Sequence, residues 1–366
     1  MSAAGPPQGT RPLGGTARSD ARGDHTSAAG LQSVGLPRSA ALVVAVVGLI
    51  VAFSSPATAQ GPAATVNIAV SSTSLALGGV RIAENAGLFA KHGLQPKIIT
   101  MDSGNAAMAA LLSGSVQFAA AGPPEALAAR ARGQDVVIAA NLYRGLAGSV
   151  VMSKATATKL SVRGDAPIKD RLRALDGLTV AVPSATSALL GPLKAAAAAT
   201  GARVKYTYMA QPAMVAALES NAIDAMMASS PFSGAPLLKG TGVLWINGPG
   251  GDLPVDVSPA SSSCILTTPA AATANADIIR KFRAVLDDVA ALIKQKPDEA
   301  KRALAKAYPQ LDAAALDLAF AQQADNWTHP VFTEADVKQE IQLLRSSSPI
   351  VGLESIAPQS MLLKIP

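Results

Sequence analysis

Small polar residues recur where predicted strands give way to helices. Hydroxyls and exposed backbone N–H groups at such junctions can bind a ligand by donating hydrogen bonds. A helix start also carries a partial positive charge, which suits an anion. Any one of these residues also fits the simpler role of a helix N-cap. The candidates for ligand contact are Ser71, Ser72, Thr73, Gly104, Asn105, Gly122, Pro123, Ser184, Ala185, Thr186, Ser187, Ser229 and Ser230.

Side-chain combinations typical of enzymes are not found in the sequence. His92 and His329 lie outside any metal-ligand spacing, and His92 fits a solvated turn. The sequence contains no G-x-S-x-G nucleophile elbow, dinucleotide fingerprint or phosphate-binding loop. Cys264, the single cysteine, lies in an apolar run and is expected to be a buried hydrophobe. We therefore expect no catalytic residue, no metal and no cofactor.

The first 59 residues are interpreted separately from the rest. Residues 1–37 have no hydrophobic periodicity and are predicted to be disordered. Arg38, the apolar run 40–53 and the small residues 57–59 together form a secretory signal peptide, with cleavage expected after Ala59. A retained membrane anchor is the alternative, but 14 apolar residues are too few to span a bilayer. We expect a soluble periplasmic protein.

Composition restricts the class of partner. The chain has 31 Lys and Arg against 25 Asp and Glu, a net charge of +6, and no block of basic residues. This mild bias argues against nucleic acid or a membrane surface as a partner. A hydrophobic content of 49% over 366 residues is enough for a sizeable core. The predicted partner is a small molecule.

Strands and helices alternate along the chain, which predicts an α/β fold with parallel strands. In the first half, strands at 66–70, 97–100, 116–120 and 136–140 are separated by helices at 75–89, 106–112 and 123–132. The pattern repeats in the second half, with strands at 178–182, 204–208 and 223–227 and helices at 186–200 and 213–219. Residues 109–124 match 216–231 at a constant offset of 107.

The repeat predicts two lobes. The chain is expected to cross between them in the β-prone segments 145–153 and 261–267, and the helical tail at 276–345 is assigned to lobe one. The predicted division is 1–59 for the extension and signal peptide, 60–147 with 262–366 for lobe one, and 148–261 for lobe two. Ligands bind at the carboxyl ends of parallel strands, so the polar junctions are expected to face a cleft between the lobes.

Several segments resemble one known family. They are RIAENAGLFAKHGL at 81–94, AALLSG at 109–114, GPP at 122–124 and LDGLTVAV at 175–182. In their order and spacing, over about residues 66–344, they are similar to the nitrate/sulfonate/taurine and thiamine-precursor family of ABC-transporter solute-binding proteins. The resemblance implies a bilobed periplasmic-binding-protein fold of type II, with two α/β lobes joined by two hinge strands. It also implies a monomer that holds its ligand at the thirteen junction residues and delivers it to permease subunits.

Ligand identity is less well defined by the sequence. Serine-rich junctions favour a small oxyanion such as a sulfonate, taurine or nitrate. Glu125 argues against an anion, because its carboxylate would itself accept hydrogen bonds from the N–H groups at the start of its helix and would repel an anion there. A neutral or organic-acid ligand therefore stays open. Phe118 and Phe232 are expected to pack in the core, and Tyr143 and Arg144 are hinge residues that could reach the cleft.

Two other functions remain possible at this point. One is an enzyme of the same bilobed fold that acts on a small organic acid or a pyrimidine precursor. Pyrimidine-precursor synthases of the family use a cysteine-rich motif and a reactive histidine, and neither motif is present here. The other is the sensory domain of a signalling system. A non-catalytic receptor is the interpretation that these features favour.

Overall fold

The computed structural model describes residues 63–364, in which the chain forms ten strands and fourteen α-helices. The strands are β1 (Ala64–Val70), β2 (Leu94–Thr100), β3 (Phe118–Ala121), β4 (Val137–Arg144), β5 (Gly148–Ser153), β6 (Thr179–Val182), β7 (Lys205–Tyr208), β8 (Ala225–Ser229), β9 (Gly242–Ile246) and β10 (Ser261–Thr267). The helices are α1 (Gly78–Asn85), α2 (Leu88–Lys91), α3 (Gly104–Leu112), α4 (Pro123–Ala131), α5 (Lys154–Ala157), α6 (Ile168–Arg173), α7 (Leu190–Ala199), α8 (Gln211–Glu219), α9 (Gly234–Leu238), α10 (Pro269–Ala274), α11 (Ala276–Gln295), α12 (Pro297–Ala307), α13 (Ala313–Gln323) and α14 (Glu334–Ser347).

The strands form two five-stranded sheets with the same plan. Their orders are β2-β1-β3-β10-β4 and β7-β6-β8-β5-β9. In each sheet the first three strands are parallel, and the fourth is antiparallel to both of its neighbours. The fourth strand, β10 or β5, comes directly after the chain has crossed from the other sheet.

The chain passes between the sheets twice, at residues 145–147 and at residues 247–260. We call the first sheet with α1–α4 and α10–α14 lobe one, and the second sheet with α5–α9 lobe two. Hydrophobic clusters lie on the two faces of each sheet, and the long helix α11 packs its apolar face onto lobe one. The predicted bilobed α/β fold is confirmed.

The internal repeat is visible in the structure. When α3 and β3 are shifted by 107 residues, α3 coincides with α8 and the start of β3 coincides with the start of β8. The turns after the two helices also match, because Gly114 and Asn221 both have positive φ, at 75° and 58°. Asparagine is among the few residues other than glycine that tolerate this conformation. The two lobes are thus built on one supersecondary pattern.

Some predicted elements differ from the structure. The helix expected at 75–89 is interrupted at Gly87, whose φ of 72° ends one helix and starts the next. The helix expected at 186–200 begins only at Leu190, because turns occupy the residues before it. Strand β9 was not predicted. Strands β5 and β10, in the two segments predicted to be β-prone, are antiparallel to their neighbours, since each enters its sheet from the opposite lobe.

The predicted signal peptide and the residues before it lie outside the described part of the chain. Among residues 63–364, no helix combines the length and the apolar character needed to cross a membrane. The expected export and the cleavage after Ala59 therefore remain predictions from the sequence.

The packing of α11 on lobe one makes a stability prediction. Leu286 on this helix is only 4% exposed, whereas Leu318 on α13 is 58% exposed. Leu286→Ala should lower the free energy of unfolding by about 2–5 kcal/mol, because it removes buried apolar surface and leaves a cavity. Leu318→Ala, the matched control, should change it by less than about 0.5 kcal/mol. Urea unfolding of both variants measures the difference, and equal losses would contradict this packing.

Candidate functional site

A cavity of about 160 Å³ lies between the two lobes. A cavity of roughly 150 Å³ holds a molecule the size of benzene, so this one suits a solute of only a few non-hydrogen atoms. Its walls come from the junctions that follow the strands of both sheets, from Ala147 in the first crossing and from Ser262 and Ser263 at the start of β10. The cavity therefore lies at the carboxyl ends of the parallel strands, where α/β proteins bind ligands.

Lobe one contributes three junctions to the cavity. Ser71, Ser72 and Ser74 follow β1, and the Ser74 hydroxyl caps a short 3-10 helix by accepting from the Ala76 N–H. The turn 102–104 leads into α3, where Ser103 is the N-cap and accepts from the Ala106 N–H. The third junction is the start of α4, with Gly122 and Glu125.

Lobe two contributes the equivalent junctions. The turns after β6 bring Ser184 and Ser187 to the cavity, and the start of α8 brings Gln211. The Gln211 side-chain oxygen accepts from both the backbone N–H and the hydroxyl of Ser229, at 2.8 and 3.1 Å. Because that oxygen is already used, the amide nitrogen of Gln211 is the end that can donate to a ligand.

The two lobes touch each other around the cavity. The hydroxyls of Ser74 and Ser229 form a short hydrogen bond, and the Leu75 N–H donates to the Ser230 carbonyl at 2.7 Å. On the other side, the Thr186 hydroxyl donates to the Asn105 side-chain oxygen at 3.2 Å. These contacts hold the lobes in a closed arrangement.

The structure brings together part of the predicted site. Seven of the thirteen candidates line the cavity, namely Ser71, Ser72, Gly104, Gly122, Ser184, Ser187 and Ser229. The other six do not line it, namely Thr73, Asn105, Pro123, Ala185, Thr186 and Ser230. Asn105, Thr186 and Ser230 instead form the contacts between the lobes, while Thr73 and Ala185 are exposed and Pro123 is buried as the first residue of α4. Contact of any of the thirteen with a ligand remains a prediction.

The internal repeat identifies residues that the sequence prediction missed. Four pairs of positions related by the offset of 107 line the cavity from opposite lobes. They are Ser103 and Ala210, Gly104 and Gln211, Gly122 and Ser229, and Glu125 and Phe232. Applying the offset to Gly104 would have pointed to Gln211 from the sequence alone. The repeat therefore predicts the site better than serine content does.

The aromatic and hinge residues take several positions. Phe232 packs against a hydrophobic cluster of lobe two, as expected, and also lines the cavity. Tyr143 and Arg144 were considered for the cleft, but neither lines it. The Tyr143 ring is buried against Trp327 and its hydroxyl accepts from Asn326, while Arg144 pairs with Asp336 at 3.0 Å. Phe118 packs on Phe282 in the core, as predicted.

Glu125 is the buried charged group of the cavity. The helix that it starts opens with Pro123 and Pro124, so the first two helical positions have no N–H to offer an anion. Its carboxyl lies between Gly104 and Gly122, where a side chain on either glycine would collide with it. Its Oε2 atom is buried without a hydrogen-bond partner among the described residues. This junction therefore presents an acceptor to the cavity.

The buried position changes the acidity of this carboxyl. Burial raises the pKa of Glu125 to about 8, and the nearby Glu340 carboxyl adds to the shift, whereas the backbone N–H groups of Glu125 and Gly122 oppose it. Burial also raises the pKa of Glu340 to about 8, against the opposing backbone N–H groups of Ser261 and Ala260. Both carboxyls are therefore buried acids that hold their protons to a higher pH than an exposed glutamate does.

Cysteine and histidine are the other reactive side chains of interest. Cys264 is buried and unpaired in β10, as predicted, and burial raises its pKa well above the usual range of a thiol. Within residues 63–364, no cluster of three or more His, Cys, Asp or Glu side chains could hold a metal ion. His92 lies at the surface of lobe one, where its Nε2 contacts Asp288 at 2.7 Å.

Comparison of the sequence with protein families identifies the family of the chain. Residues 76–300 match the model described as "NMT1/THI5 like". The matched range includes β2 to β10 and every lining residue of the cavity from Ala76 onward. A search of curated protein sequences gives no match.

Solved structures share the fold at low sequence identity. The alkanesulfonate-binding protein SsuA from Xanthomonas axonopodis pv. citri, solved with MOPS, matches with a TM-score of 0.65 and 17% identity, over 83% of this chain and 99% of that one. The aliphatic sulphonate binding protein SsuA from Escherichia coli matches with a TM-score of 0.62 and 18% identity, over 84% of this chain and 94% of that one. The nitrate-binding protein NrtA from Synechocystis PCC 6803 matches with a TM-score of 0.64 and 14% identity, over 81% of this chain and 85% of that one. All three are periplasmic or solute-binding proteins by name, and the shared fold is that of the binding proteins.

The raised pKa of Glu125 predicts a pH-dependent stability. Between the unfolded pKa of about 4.5 and the folded value of about 8, the folded state holds a proton that the unfolded state has lost. The free energy of unfolding should therefore fall as the pH rises through this window, by at most about 1.4 kcal/mol per pH unit for this group. Glu125→Gln should remove that part of the slope.

Urea unfolding at several pH values between 5 and 8 measures the slope. The exposed Glu354 provides a matched control, and Glu354→Gln should leave the slope unchanged. An identical pH dependence in the wild type and in Glu125→Gln would show that the carboxyl at position 125 is not protonated by burial.

Proposed function

The chain belongs to the NMT1/THI5-like family, and from this premise we propose that it is a solute-binding receptor. It captures a small solute between its lobes in the periplasm, after export with a cleaved signal peptide, and delivers it to the permease subunits of an ABC importer. The names of the proteins that share its fold, which bind sulfonates or nitrate, support this assignment. The receptor acts as a monomer.

The observation that carries the proposal is the cavity at the interface of the two lobes. Each lobe supplies part of its wall through equivalent junctions, and hydrogen bonds such as that from the Leu75 N–H to the Ser230 carbonyl join the lobes next to it. A solute in this cavity contacts both lobes at once, so its binding energy favours the closed arrangement. A permease can then recognise the closed form.

The lining of the cavity supports binding without chemical change. Its serines have no histidine or lysine beside them in the described lining to act as a base, which a serine nucleophile requires. Cys264, the other nucleophile considered, is buried in β10 away from the cavity. We therefore propose a receptor and not an enzyme acting on an organic acid or a pyrimidine precursor.

A small oxyanion such as a sulfonate, taurine or nitrate is the ligand class that the serine-rich junctions favour. Hydroxyls of Ser184 and Ser187 and the amide of Gln211 provide donors on the lobe-two side. Two carboxyls, Asp102 and Glu125, line the cavity from lobe one, and no basic side chain does so among the described residues. This balance of charge argues against a bare anion such as nitrate and for a solute that is neutral or carries its own positive charge.

A screen of thermal stability tests the receptor function. The purified protein is heated with taurine, other sulfonates, nitrate, small amino acids, pyrimidines and organic acids. A ligand at 100 times its dissociation constant should add about 2.7 kcal/mol of stability. Mass spectrometry of each bound solute after incubation distinguishes a receptor, which returns it unchanged, from an enzyme. The absence of any shift across the screen would contradict a receptor for small solutes.

Filling the cavity should abolish binding. Ser184→Tyr places a ring in the cavity from lobe two, so no solute in the screen should stabilise this variant. Ser220→Tyr makes the same change on the exposed end of α8 and should bind normally. Retention of affinity in Ser184→Tyr would place the ligand elsewhere on the protein.

Closure of the lobes should be sensitive to a single methyl group. A Cβ at Gly122 would lie 2.6 Å from Glu125 Oε2 and 3.0 Å from the Ala188 Cβ of the other lobe. Gly122→Ala should cost about 1–3 kcal/mol of overpacking in the closed form and weaken binding roughly 5- to 100-fold. Gly234→Ala, at a position with open space around it, is the control that should leave affinity unchanged in isothermal titration.

A further inference from the structure

The start of α4 is built differently from the other junctions of the cavity. A helix start normally offers free N–H groups to an anion, but Pro123 and Pro124 lack them. Glu125 then places a carboxyl beside the N–H groups that remain, those of Gly122 and of its own backbone. An anionic ligand would meet a carboxyl here, so this junction suits a group that donates hydrogen bonds.

The surroundings of the carboxyl show which partner it lacks. Glu125 is 6% exposed, and its Oε2 atom has no hydrogen-bond partner among the described residues. A buried acceptor without a partner costs about 1–3 kcal/mol, and natural sites rarely keep one without a reason. Glycine at 104 and at 122 leaves the space that the carboxyl occupies at the wall of the cavity. A ligand nitrogen bearing hydrogens would satisfy the free oxygen.

We propose that the cleft selects a small solute with an amine nitrogen, and that Glu125 is the residue that accepts hydrogen bonds from this nitrogen. The inference rests on the receptor function proposed above and specifies the ligand class of the same cavity. Phe232, at the position equivalent to Glu125 in lobe two, provides an apolar surface for the carbon atoms of the solute. The donors of Ser184, Ser187 and Gln211 face an oxygen-bearing end of the solute from lobe two.

Protonation is coupled to this binding mode. With the pKa of Glu125 raised to about 8, most of the free protein carries a proton on this carboxyl at neutral pH. A charged amine binds best to the ionised carboxylate, so its binding releases the proton. The elements packed against α4 and the cavity wall carry the ionisable residues Asp102, Tyr143, Arg144, Cys264, Glu334, Asp336, Lys338, Glu340, Arg345 and Glu354. Among them, Glu340 is the one whose charge adds to the raised pKa of Glu125. Arg144 is already paired with Asp336 and does not neutralise Glu125.

Matched pairs of probes test the selection. Taurine is compared with 2-hydroxyethanesulfonate, β-alanine with 3-hydroxypropanoate, and 2-aminoethanol with ethane-1,2-diol, so that each pair differs only by amine against hydroxyl. Isothermal titration of the purified protein should show that the amine binds about 10- to 100-fold more tightly in at least one pair, the effect of one hydrogen bond to a charged group.

Variants attribute the preference to one carboxyl. Glu125→Gln keeps the shape and removes the charge, so the amine preference should disappear. Glu340→Gln is the matched control, because Glu340 is equally buried but does not line the cavity, and the preference should persist. Asp102→Asn tests the exposed carboxyl of the lining and should reduce the preference less than Glu125→Gln.

Proton release provides a second readout. At pH 7, titrations in phosphate and in Tris should give apparent enthalpies that differ in proportion to the proton released by the wild type. The affinity of the protein for the amine probes should also rise, by at most about tenfold per pH unit, as the pH increases from 6 to 7. Both effects should be absent in Glu125→Gln and present in Glu340→Gln.

The outcomes separate the two proposals. Equal or tighter binding of the hydroxyl probes or of nitrate, or an amine preference that persists in Glu125→Gln, overturns the amine inference and leaves the receptor function intact. A solute from the wider screen that binds in the cavity without an amine nitrogen overturns the inference in the same way. If no solute binds at all, the receptor function itself fails, and the inference fails with it.

Discussion

The side-by-side pairing of the two crossings between the lobes is the constraint on which the rest of the structure depends. The Gly145 N–H donates to the Ala260 carbonyl at 2.9 Å, and the Ala147 N–H donates to the Ser262 hydroxyl at 2.8 Å. The Ser262 hydroxyl donates in turn to the Gly145 carbonyl at 2.7 Å. Each sheet then takes its fourth strand from the segment that has just crossed, so neither sheet is complete without the connection. Because Ser262 also lines the cavity, the cavity lies directly against this connection.

The α4 start shows how a common fold acquires a distinct site. Binding proteins with parallel strands place helix N-termini around the ligand, and an unmodified N-terminus favours anions. Here two prolines remove the donors and Glu125 supplies a carboxyl, while the fold stays the same. The burial of the Glu125 carboxyl also makes its ionisation unfavourable. Solvation, and not the path of the backbone, therefore sets the chemistry of this junction.

The sequence predicts the fold well because the fold depends on local patterns. Apolar strands such as β1 and the long amphipathic helix α11 have the expected type and nearly the expected bounds. The antiparallel direction of β5 and β10 could not be predicted, since it depends on which lobe the chain comes from. Strand β9, at the edge of the second sheet, was not predicted. The local sequence pattern thus predicts which helices and strands form, whereas the direction of a strand in its sheet depends on how the chain connects the two lobes.

The site is less predictable than the fold because serine content does not show which side of a junction faces the cleft. Ser230 and Thr186 join the lobes and do not line the cavity, whereas Gln211 and Phe232 line it and were not among the predicted residues.

The repeat resolves this ambiguity, since a position that faces the cleft in one lobe faces it in the other when the local backbone is the same. Equivalent positions need not carry equivalent chemistry, however. The lobes place Gly104 opposite Gln211 and Glu125 opposite Phe232, so one side of the cavity accepts hydrogen bonds and the other donates them or packs against carbon. A solute that matches both sides must donate hydrogen bonds at one end and accept them at the other. The asymmetry between two copies of one motif is therefore the basis of the selectivity that we propose for the cleft.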